Sequence, residues 1–300
     1  MGLGDLAAAR SRGNHAAMRL GVVFVLFAAL LFASQTSASS SRSLRAFSGT
    51  GTWVSIYDGH ALNHPERVVA RLKSHRIHTV FIETSNDRQR SGVRRPVAVA
   101  RFLDAAHESG IKVVGWYLPG FASPGADIRK ALQGARFHSP SGQGFDAFAL
   151  DIESTKVRSL PVRTARAIRV ARAVRAAMPS RMTLGAITID PVGGRYWNGY
   201  PFRQLARSVQ VFLPMEYFTA RTSGARHVAA YSRANAAAVR RLAGDAGFPV
   251  HPIGGEASAA TMPELRAFLS ASKSELGVSL WEYGATSAGQ LAALATLASR

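Results

Sequence analysis

The chain has 300 residues and no cysteine, which excludes thiol chemistry and cysteine-ligated zinc. Its formal net charge is +19, from 37 basic and 18 acidic residues, and we expect such a protein to concentrate near anionic cell-wall polymers or acidic glycans. Nucleic acid is not an expected partner, because the arginines are scattered and no known binding motif appears.

The first part of the chain is predicted to be a targeting segment. Basic residues precede the apolar run LGVVFVLFAALLFA at 20–33, which is shorter than the ~20 residues of a membrane-spanning helix. Thr36 and Ala38 form a small-x-small pattern that is typical of signal-peptide cleavage. Residues 1–38 are therefore predicted to be a signal peptide, with an uncleaved membrane anchor as the alternative. In both cases the rest of the protein is expected to be secreted or extracytoplasmic, and to meet a membrane only through this segment.

A serine-rich linker at 39–49 precedes the folded domain, which is predicted at 50–300. Eight short runs in that domain are rich in β-branched and aromatic residues, and a helix-like segment follows each one. The strand-like runs lie at 51–58, 78–84, 111–118, 144–153, 182–190, 209–217, 248–255 and 277–284. Eight such units in about 250 residues predict an α/β fold, a single (β/α)8 TIM barrel. A doubly wound open sheet is the alternative, disfavoured because no glycine-rich phosphate loop follows the first strand.

Acidic residues concentrate at the ends of the predicted strands, where a TIM barrel builds its active site. Eight of the 18 acidic residues lie at such an end or one residue beyond it: Asp58, Glu83, Asp151, Glu153, Asp190, Glu216, Glu256 and Glu282. Helix capping or salt bridges to arginine at the rim are the alternative explanation for any one of them.

Strand alternation indicates which acids face the interior, because residues two apart share a face. In the fourth strand Ala147, Ala149, Asp151 and Glu153 are predicted to point inward, with the alanines deep and the carboxylates at the mouth. Glu83 is predicted to point inward at the end of the second strand. Asp151 and Glu153 are about 6 to 7 Å apart along the strand and repel each other, so one of them is expected to hold a proton at neutral pH.

The same reasoning extends to three other strands. Asp190 is predicted to reach the mouth from the fifth strand. In the sixth and eighth strands an acid adjoins an aromatic residue, so only one of the two can face inward. Tyr217 is favoured over Glu216, and Trp281 over Glu282.

Aromatic residues are predicted close to these acids. They include Tyr57, Trp116, Tyr117, Tyr217 and Trp281 at strand ends, and Tyr196, Trp197 and Tyr200 in a loop. Clustered acids beside flat rings are typical of glycan hydrolysis, in which a protonated carboxyl donates to the leaving oxygen and a ring stacks on the sugar. No metal or cofactor is expected, since no H-x-H or H-x-x-E cluster forms.

The fourth strand resembles that of glycoside hydrolase family 18, the chitinases and their relatives, whose signature is DxxDxDxE. The sequence here reads DAFALDIE, so that Asp146, Asp151 and Glu153 match and Ala149 stands where the second Asp is expected. The resemblance implies that Glu153 is the general acid. It also implies that Asp151 orients and stabilises a substrate N-acetyl group that acts as the nucleophile.

Two further motifs carry the same resemblance. LPMEYF is similar to the family's M-x-Y-[D/N], with Met215 and Tyr217 matching and Phe218 in place of the acid. GVSLWEY is similar to its G-x-x-x-W, which implies that Trp281 is the floor of the sugar subsite. Tyr217 would hydrogen-bond the acetamido oxygen. The predicted catalytic residues are thus Glu153, Asp151 and Tyr217, and the predicted substrate-binding residues are Trp281, Tyr57, Glu83, Trp116, Tyr117, Asp190, Met215 and Glu256.

Three alternatives remain open. The DIE at 151–153 and the WEY at 281–283 also resemble family 25 lysozymes. A retaining pair from the fourth and seventh strands would join Glu153 with Glu256. The third alternative is a carbohydrate-binding, lectin-like barrel that has lost hydrolysis. The expected ligand in every case is a carbohydrate polymer, N-acetylated as in chitin or peptidoglycan, or anionic as in a cell-wall glycan.

Overall fold

A computed structural model of the chain describes residues 44–298, and the predicted targeting segment lies outside them. Eight strands form one parallel sheet: β1 (Gly49–Val54), β2 (Thr79–Asn86), β3 (Lys112–Leu118), β4 (Ala147–Ile152), β5 (Thr183–Thr188), β6 (Val211–Pro214), β7 (Ile253–Glu256) and β8 (Gly277–Trp281). Neighbours in sequence pair with each other from β1 to β6, β7 pairs with β8, and β1 also pairs with β8. Parallel bridges such as Met215 to Ile253 close the gap between β6 and β7. The TIM barrel is confirmed, and the open sheet is excluded.

Helices cover the outside of the barrel. They are α1 (Gly59–Asn63), α2 (Pro65–Ser74), α3 (Pro96–Glu108), α4 (Pro124–Ala135), α5 (Leu160–Ala177), α6 (Phe202–Leu205), α7 (Ala225–Ala243), α8 (Met262–Ala271) and α9 (Ala288–Ala298). Proline occupies the first turn of several of them, where its missing N–H has no helical partner to lose. Among the helices described, none combines the length and the apolar character that crossing a membrane requires.

Strand alternation separates the barrel interior from the layer between the strands and the helices. In β4, Phe148, Leu150 and Ile152 pack into the helix layer. Ala147 and Ala149 lie in the barrel interior. The prediction for this strand is therefore confirmed, and the face that carries the two alanines is the one that continues to Asp151.

Large aromatic side chains fill the bottom of the barrel because glycines face them. A Cβ atom on Gly51 would lie 2.6 Å from the ring of Phe81, and one on Gly185 would lie 3.0 Å from the ring of Phe47. Phe47 comes from a short 3-10 helix, Leu44–Phe47, and is fully buried. Phe47 therefore belongs to the core, although it precedes the predicted start of the domain at residue 50.

A buried histidine ties this segment to the barrel. Burial lowers the pKa of His251 to about 4, and its Nδ1 donates a hydrogen bond of 2.7 Å to the carbonyl of Phe47. The ring of His251 also contacts that of Phe81, with 5.2 Å between the centroids. A neutral imidazole thus acts here as a structural hydrogen-bond donor.

We expect Phe47→Ala to lower the free energy of unfolding by about 3–5 kcal/mol, because it removes a fully buried ring and leaves a cavity among other rings. Urea denaturation of the full chain measures this. Val97→Ala is the matched control, since Val97 is 74% exposed, and we expect a change within about 0.5 kcal/mol. A similarly small effect at Phe47 would mean that residues 44–47 are not part of the core.

Candidate active site

A cavity of about 970 Å³ opens at the C-terminal ends of the strands. This is the end of a TIM barrel where substrates bind, and the volume suits a ligand of several sugar rings in size. Eight of the predicted site residues line it: Tyr57, Glu83, Trp116, Asp151, Glu153, Met215, Tyr217 and Trp281.

Three of the four tryptophans form the floor of the cavity. The ring centroid of Trp53 lies 5.9 Å from that of Trp116 and 6.1 Å from that of Trp281, and the last two are 6.1 Å apart. Trp53 also stacks on Phe81 at 4.1 Å, and its Nε1 donates to Ser279 Oγ at 2.8 Å. Trp53 is not among the predicted site residues, although its two-residue spacing from Gly51 places it on the inward face of β1.

Asp151 and Glu153 follow one another on the inward face at the end of β4. Asp151 is 6% exposed, and its Oδ1 has no hydrogen-bond partner. Burial raises the pKa of Asp151 well above its usual range, and the charges of Glu153 and Glu83 raise it further. Burial also raises the pKa of Glu153. Because the two groups titrate together, the pair retains a proton at higher pH than either group would alone.

Glu83 is the third carboxyl of the cluster, and the backbone and an amide hold it in place. Its Oε2 accepts a hydrogen bond of 3.0 Å from the backbone N–H of Ile56, and its Oε1 accepts one of 3.1 Å from Asn86 Nδ2. Burial raises the pKa of Glu83 to about 7, although these two hydrogen bonds oppose the shift. Asn86 Nδ2 also donates to Tyr57 Oη at 3.2 Å.

Glu282 is a fourth carboxyl in the cavity, and strand alternation predicts it to face away. Trp281 and Glu282 both line the cavity, because β8 ends at Trp281 and a 3-10 helix, Tyr283–Ala285, follows. Burial raises the pKa of Glu282, and the nearby Ser55 hydroxyl opposes the shift. Glu216, in contrast, is fully buried away from the cavity, which agrees with the preference for Tyr217 at the end of β6.

Two loops carry the rim of the cavity. Lys156 Nζ, in the loop after β4, pairs with Asp87 Oδ2 after β2 at 2.5 Å. Arg88 and Tyr196 lie at the same rim. Tyr196 lines the cavity together with Glu153, and desolvation raises the pKa of Tyr196, with the charge of Glu153 adding to the effect.

Tyr117 does not line the cavity, so its prediction as a substrate-binding residue is corrected. Trp116 and Tyr117 are neighbours in β3 and point to opposite faces, and it is Trp116 that faces inward. Tyr117 lies in the helix layer, where its Oη donates to Asp127 Oδ1 at 2.8 Å. Asp127 also accepts a hydrogen bond from the backbone N–H of Phe121 at 2.9 Å, so that Tyr117 supports the loop after β3.

Asp190 is a second correction, because the face of β5 is the reverse of the predicted one. Ala186 packs into the helix layer and Ile187 lies in the barrel interior and lines the cavity. Asp190 is buried outside the cavity lining. Its carboxylate accepts hydrogen bonds from Arg221 Nε, at 3.0 Å, and from the backbone N–H of Gly193. It therefore anchors the loop that carries Tyr196.

Glu256 and Asp146 also lie outside the cavity lining. Glu256 is exposed at the end of β7, near enough for its charge to contribute to the raised pKa of Tyr217, which is due mainly to burial. Asp146 precedes β4 at the other end of the strand. It accepts hydrogen bonds from His107 Nε2 at 2.9 Å, Lys112 Nζ at 2.9 Å and the Val113 backbone N–H at 2.8 Å.

The remaining loop aromatics support the rim from behind. Tyr200 Oη donates to the carbonyl of Ile152 at 2.9 Å, and the ring of Trp197 lies 4.3 Å from the guanidinium carbon of Arg163.

Within residues 44–298, no three His, Asp or Glu side chains come together in a way that could hold a metal ion.

Comparison with known proteins identifies the fold of the chain but assigns it to no family. No family model matches the chain, and no curated protein matches it in sequence. Three similar solved structures are an endo-1,4-beta-mannanase from Rhizomucor miehei, the spore cortex-lytic enzyme SleL from Bacillus cereus and a chitinase from Bacteroides thetaiotaomicron.

The three structures share the barrel with this chain at low sequence identity. Their TM-scores are 0.62, 0.60 and 0.58, with identities of 11%, 10% and 10%. The alignments cover 84%, 82% and 83% of this chain, and 94%, 73% and 94% of the other chains. Such a likeness shows a common fold and no more. The resemblance to family 18 rests on the short sequence motifs alone.

We expect Asp151→Asn to become more stable relative to the wild type as the pH rises. The folded-state pKa of Asp151 lies above its ordinary value of 3.8, so the wild type loses stability above that pH, whereas an amide does not titrate. The difference should widen by about 1–3 kcal/mol between about pH 4 and pH 8, as measured by chemical denaturation across this range.

Glu66→Gln is the control of opposite sign. A hydrogen bond from Arg101 lowers the pKa of Glu66, so removing this carboxylate should cost stability as the pH rises rather than add it. If the wild-type and Asp151→Asn curves ran parallel, Asp151 would titrate as an ordinary carboxyl, and the strong burial of its charge would be contradicted.

Proposed function

We propose that the protein is an exported hydrolase of O-glycosidic bonds in a polysaccharide, with Glu153 as the general acid. The observation that carries this proposal is the group of carboxyls beside a tryptophan floor in the mouth of the barrel. Glycoside hydrolysis requires a protonated carboxyl for the leaving oxygen and a second group that supports the oxocarbenium-like centre. The raised pKa of the Asp151–Glu153 pair meets the first requirement.

Asp151 is proposed as the second group. Its Oδ1 has no hydrogen-bond partner in the protein, so the carboxyl keeps an unused acceptor in the lining of the cavity. If the sugar carries an N-acetyl group, Asp151 would orient the amide and Tyr217 would bind its carbonyl oxygen, as the resemblance to family 18 implies. Tyr217 is close enough to both carboxyls for their charges to add to the effect of burial on its pKa.

The tryptophan floor supports a polymeric substrate. Flat indole faces stack on the apolar faces of sugar rings, and a cavity of about 970 Å³ holds more than one ring. Proteins with this fold include enzymes named for mannan, for chitin and for the spore cortex. We propose a chitin-like or peptidoglycan-like substrate, reached after export directed by residues 1–38. The +19 charge would hold the protein near anionic wall polymers.

A carbohydrate-binding protein without hydrolysis is the second candidate. Ala149 and Phe218 favour it, because both stand where the family 18 motifs have an acid. Both side chains are fully buried, so neither position supplies a polar group to the cavity.

We expect Glu153→Gln to lower the release of reducing ends by about 10²- to 10⁴-fold, because the amide cannot donate the proton. The panel of substrates is chitin oligomers, peptidoglycan and plain glucans. Glu108→Gln is the matched control: Glu108 is exposed and ends α3 on the face opposite the cavity, so full activity is expected. If the wild type binds a glycan of the panel but cleaves none, the binding protein is the correct reading and the hydrolase is wrong.

We expect Trp281→Ala to weaken glycan binding by about tenfold or more, because it removes one face of the floor. Quenching of tryptophan fluorescence by oligomers, measured in the Glu153→Gln background, reports the affinity without turnover. Trp197→Phe is the control, since Trp197 lies outside the cavity lining; the quenching should persist. Unchanged affinity in Trp281→Ala would remove the floor from the binding site.

A further inference from the structure

The cavity reverses the charge balance of the protein. Five of the 18 acidic residues line it, against two of the 37 basic ones. The acidic ones are Glu83, Asp87, Asp151, Glu153 and Glu282, and the basic ones are Arg88 and Lys156. Within residues 44–298, Asp87 is the only one of the five in a salt bridge, with Lys156. A strongly cationic protein therefore keeps four unpaired carboxyls in one cavity.

Hydrolysis accounts for only two of these four carboxyls. Glu83 and Glu282 remain, and the charge of each acts on a neighbour in the cluster: Glu282 on Glu83, and Glu83 on Asp151. Asp151 is itself more than nine-tenths buried and has an oxygen with no hydrogen-bond partner. Buried carboxyls without a cation destabilise the free protein, because burial disfavours the charged form. A cationic group on the ligand would offset that cost.

The aromatic floor, like the carboxyls, favours a cationic group on the ligand. The face of an indole ring is electron-rich and attracts ammonium groups, more strongly where water is excluded. Trp53, Trp116 and Trp281 line the cavity together with the carboxyls, and Trp281 is the half-buried one whose ring a ligand can reach. The carboxylates and the electron-rich ring faces would both repel an anionic group. Such a group could be held only at the rim, near Arg88.

We propose that the cavity binds a glycan with a protonated free amino group, such as a partly de-N-acetylated aminoglycan, and that Glu83 and Glu282, beside the buried Asp151, hold the ammonium above the tryptophan floor. The proposal deepens the proposed function and rests on the same site. It also replaces the expectation of an anionic ligand as far as the cavity is concerned. The cationic outer surface remains available to anionic polymers.

Binding of three oligomers of equal length tests the proposal: one of glucosamine, one of N-acetylglucosamine and one of a uronic acid. The protein is the full chain with Glu153→Gln to prevent turnover, at neutral pH and low salt, and calorimetry measures Kd. We expect the glucosamine oligomer to bind about tenfold more tightly than the N-acetylated one. The preference should shrink as salt is added. Equal or tighter binding of the N-acetylated or the uronate oligomer would overturn the proposal.

Two variants in the same background test the placement of the amino group. Glu83→Gln and Glu282→Gln should each weaken the binding of the glucosamine oligomer more than that of the N-acetylated oligomer, and so reduce the preference. Glu108→Gln is the control and should keep the full preference. If neither cavity variant changes the preference, the proposed ammonium site is wrong.

The outcome is separable from that of the proposed function. Hydrolysis of the N-acetylated oligomer by the wild type, with no preference for the amine, would leave the hydrolase intact and reject the ammonium site. A clear preference for the amine with no cleavage of any oligomer would support the ammonium site and reject the hydrolase.

Discussion

Space inside the barrel is the constraint on which the site depends. Trp116 pairs with Ala149 in the register of β3 and β4, and Ala149 pairs with Gly185 in that of β4 and β5. A closely packed interior has room for the indole ring of Trp116 at this level because the paired residues on β4 and β5 are small. The alanine that departs from the DxxDxDxE pattern thus has a packing role: an acid there would compete with an indole for the same layer. The small side chain at position 149 thus accounts both for the room that the tryptophan floor occupies and for the missing acid.

The second determinant is the burial of carboxyls without cations. Asp151, Glu153 and Glu83 share one cavity, and burial raises the pKa of each. Salt bridges to arginine would relieve this and would also lower the pKa values. The chain has many arginines, yet Arg221 pairs with Asp190 outside the cavity and Arg101 with Glu66 on the surface. Within the described residues, the carboxyls of the cavity therefore form no salt bridge to arginine, and their raised pKa values favour the protonated form that a general acid needs.

The sequence predicts much of this arrangement because a strand has a period of two. Glu83 and Asp151 follow from alternation because their strands are regular up to these residues. Asp190 does not, because the small residues before it in β5 suit either face. Tyr117 cannot be separated from its neighbour by composition alone, since both are aromatic. Glu282 escapes prediction for another reason: it lies just beyond the last residue of β8, where alternation no longer applies.

The ion pair at the rim has a consequence for the length of chain that the barrel can accept. Lys156 and Asp87 join the loops after β4 and β2, and β3 lies between these strands, so the pair crosses the end of β3 beside Trp116. The side chain of Lys156 is 54% exposed and that of Asp87 is 15% exposed. A pair that reaches solvent on the lysine side is weakened by salt. An oligomer long enough to reach the end of β3 would therefore meet this pair at the rim, and we expect high ionic strength to ease its displacement.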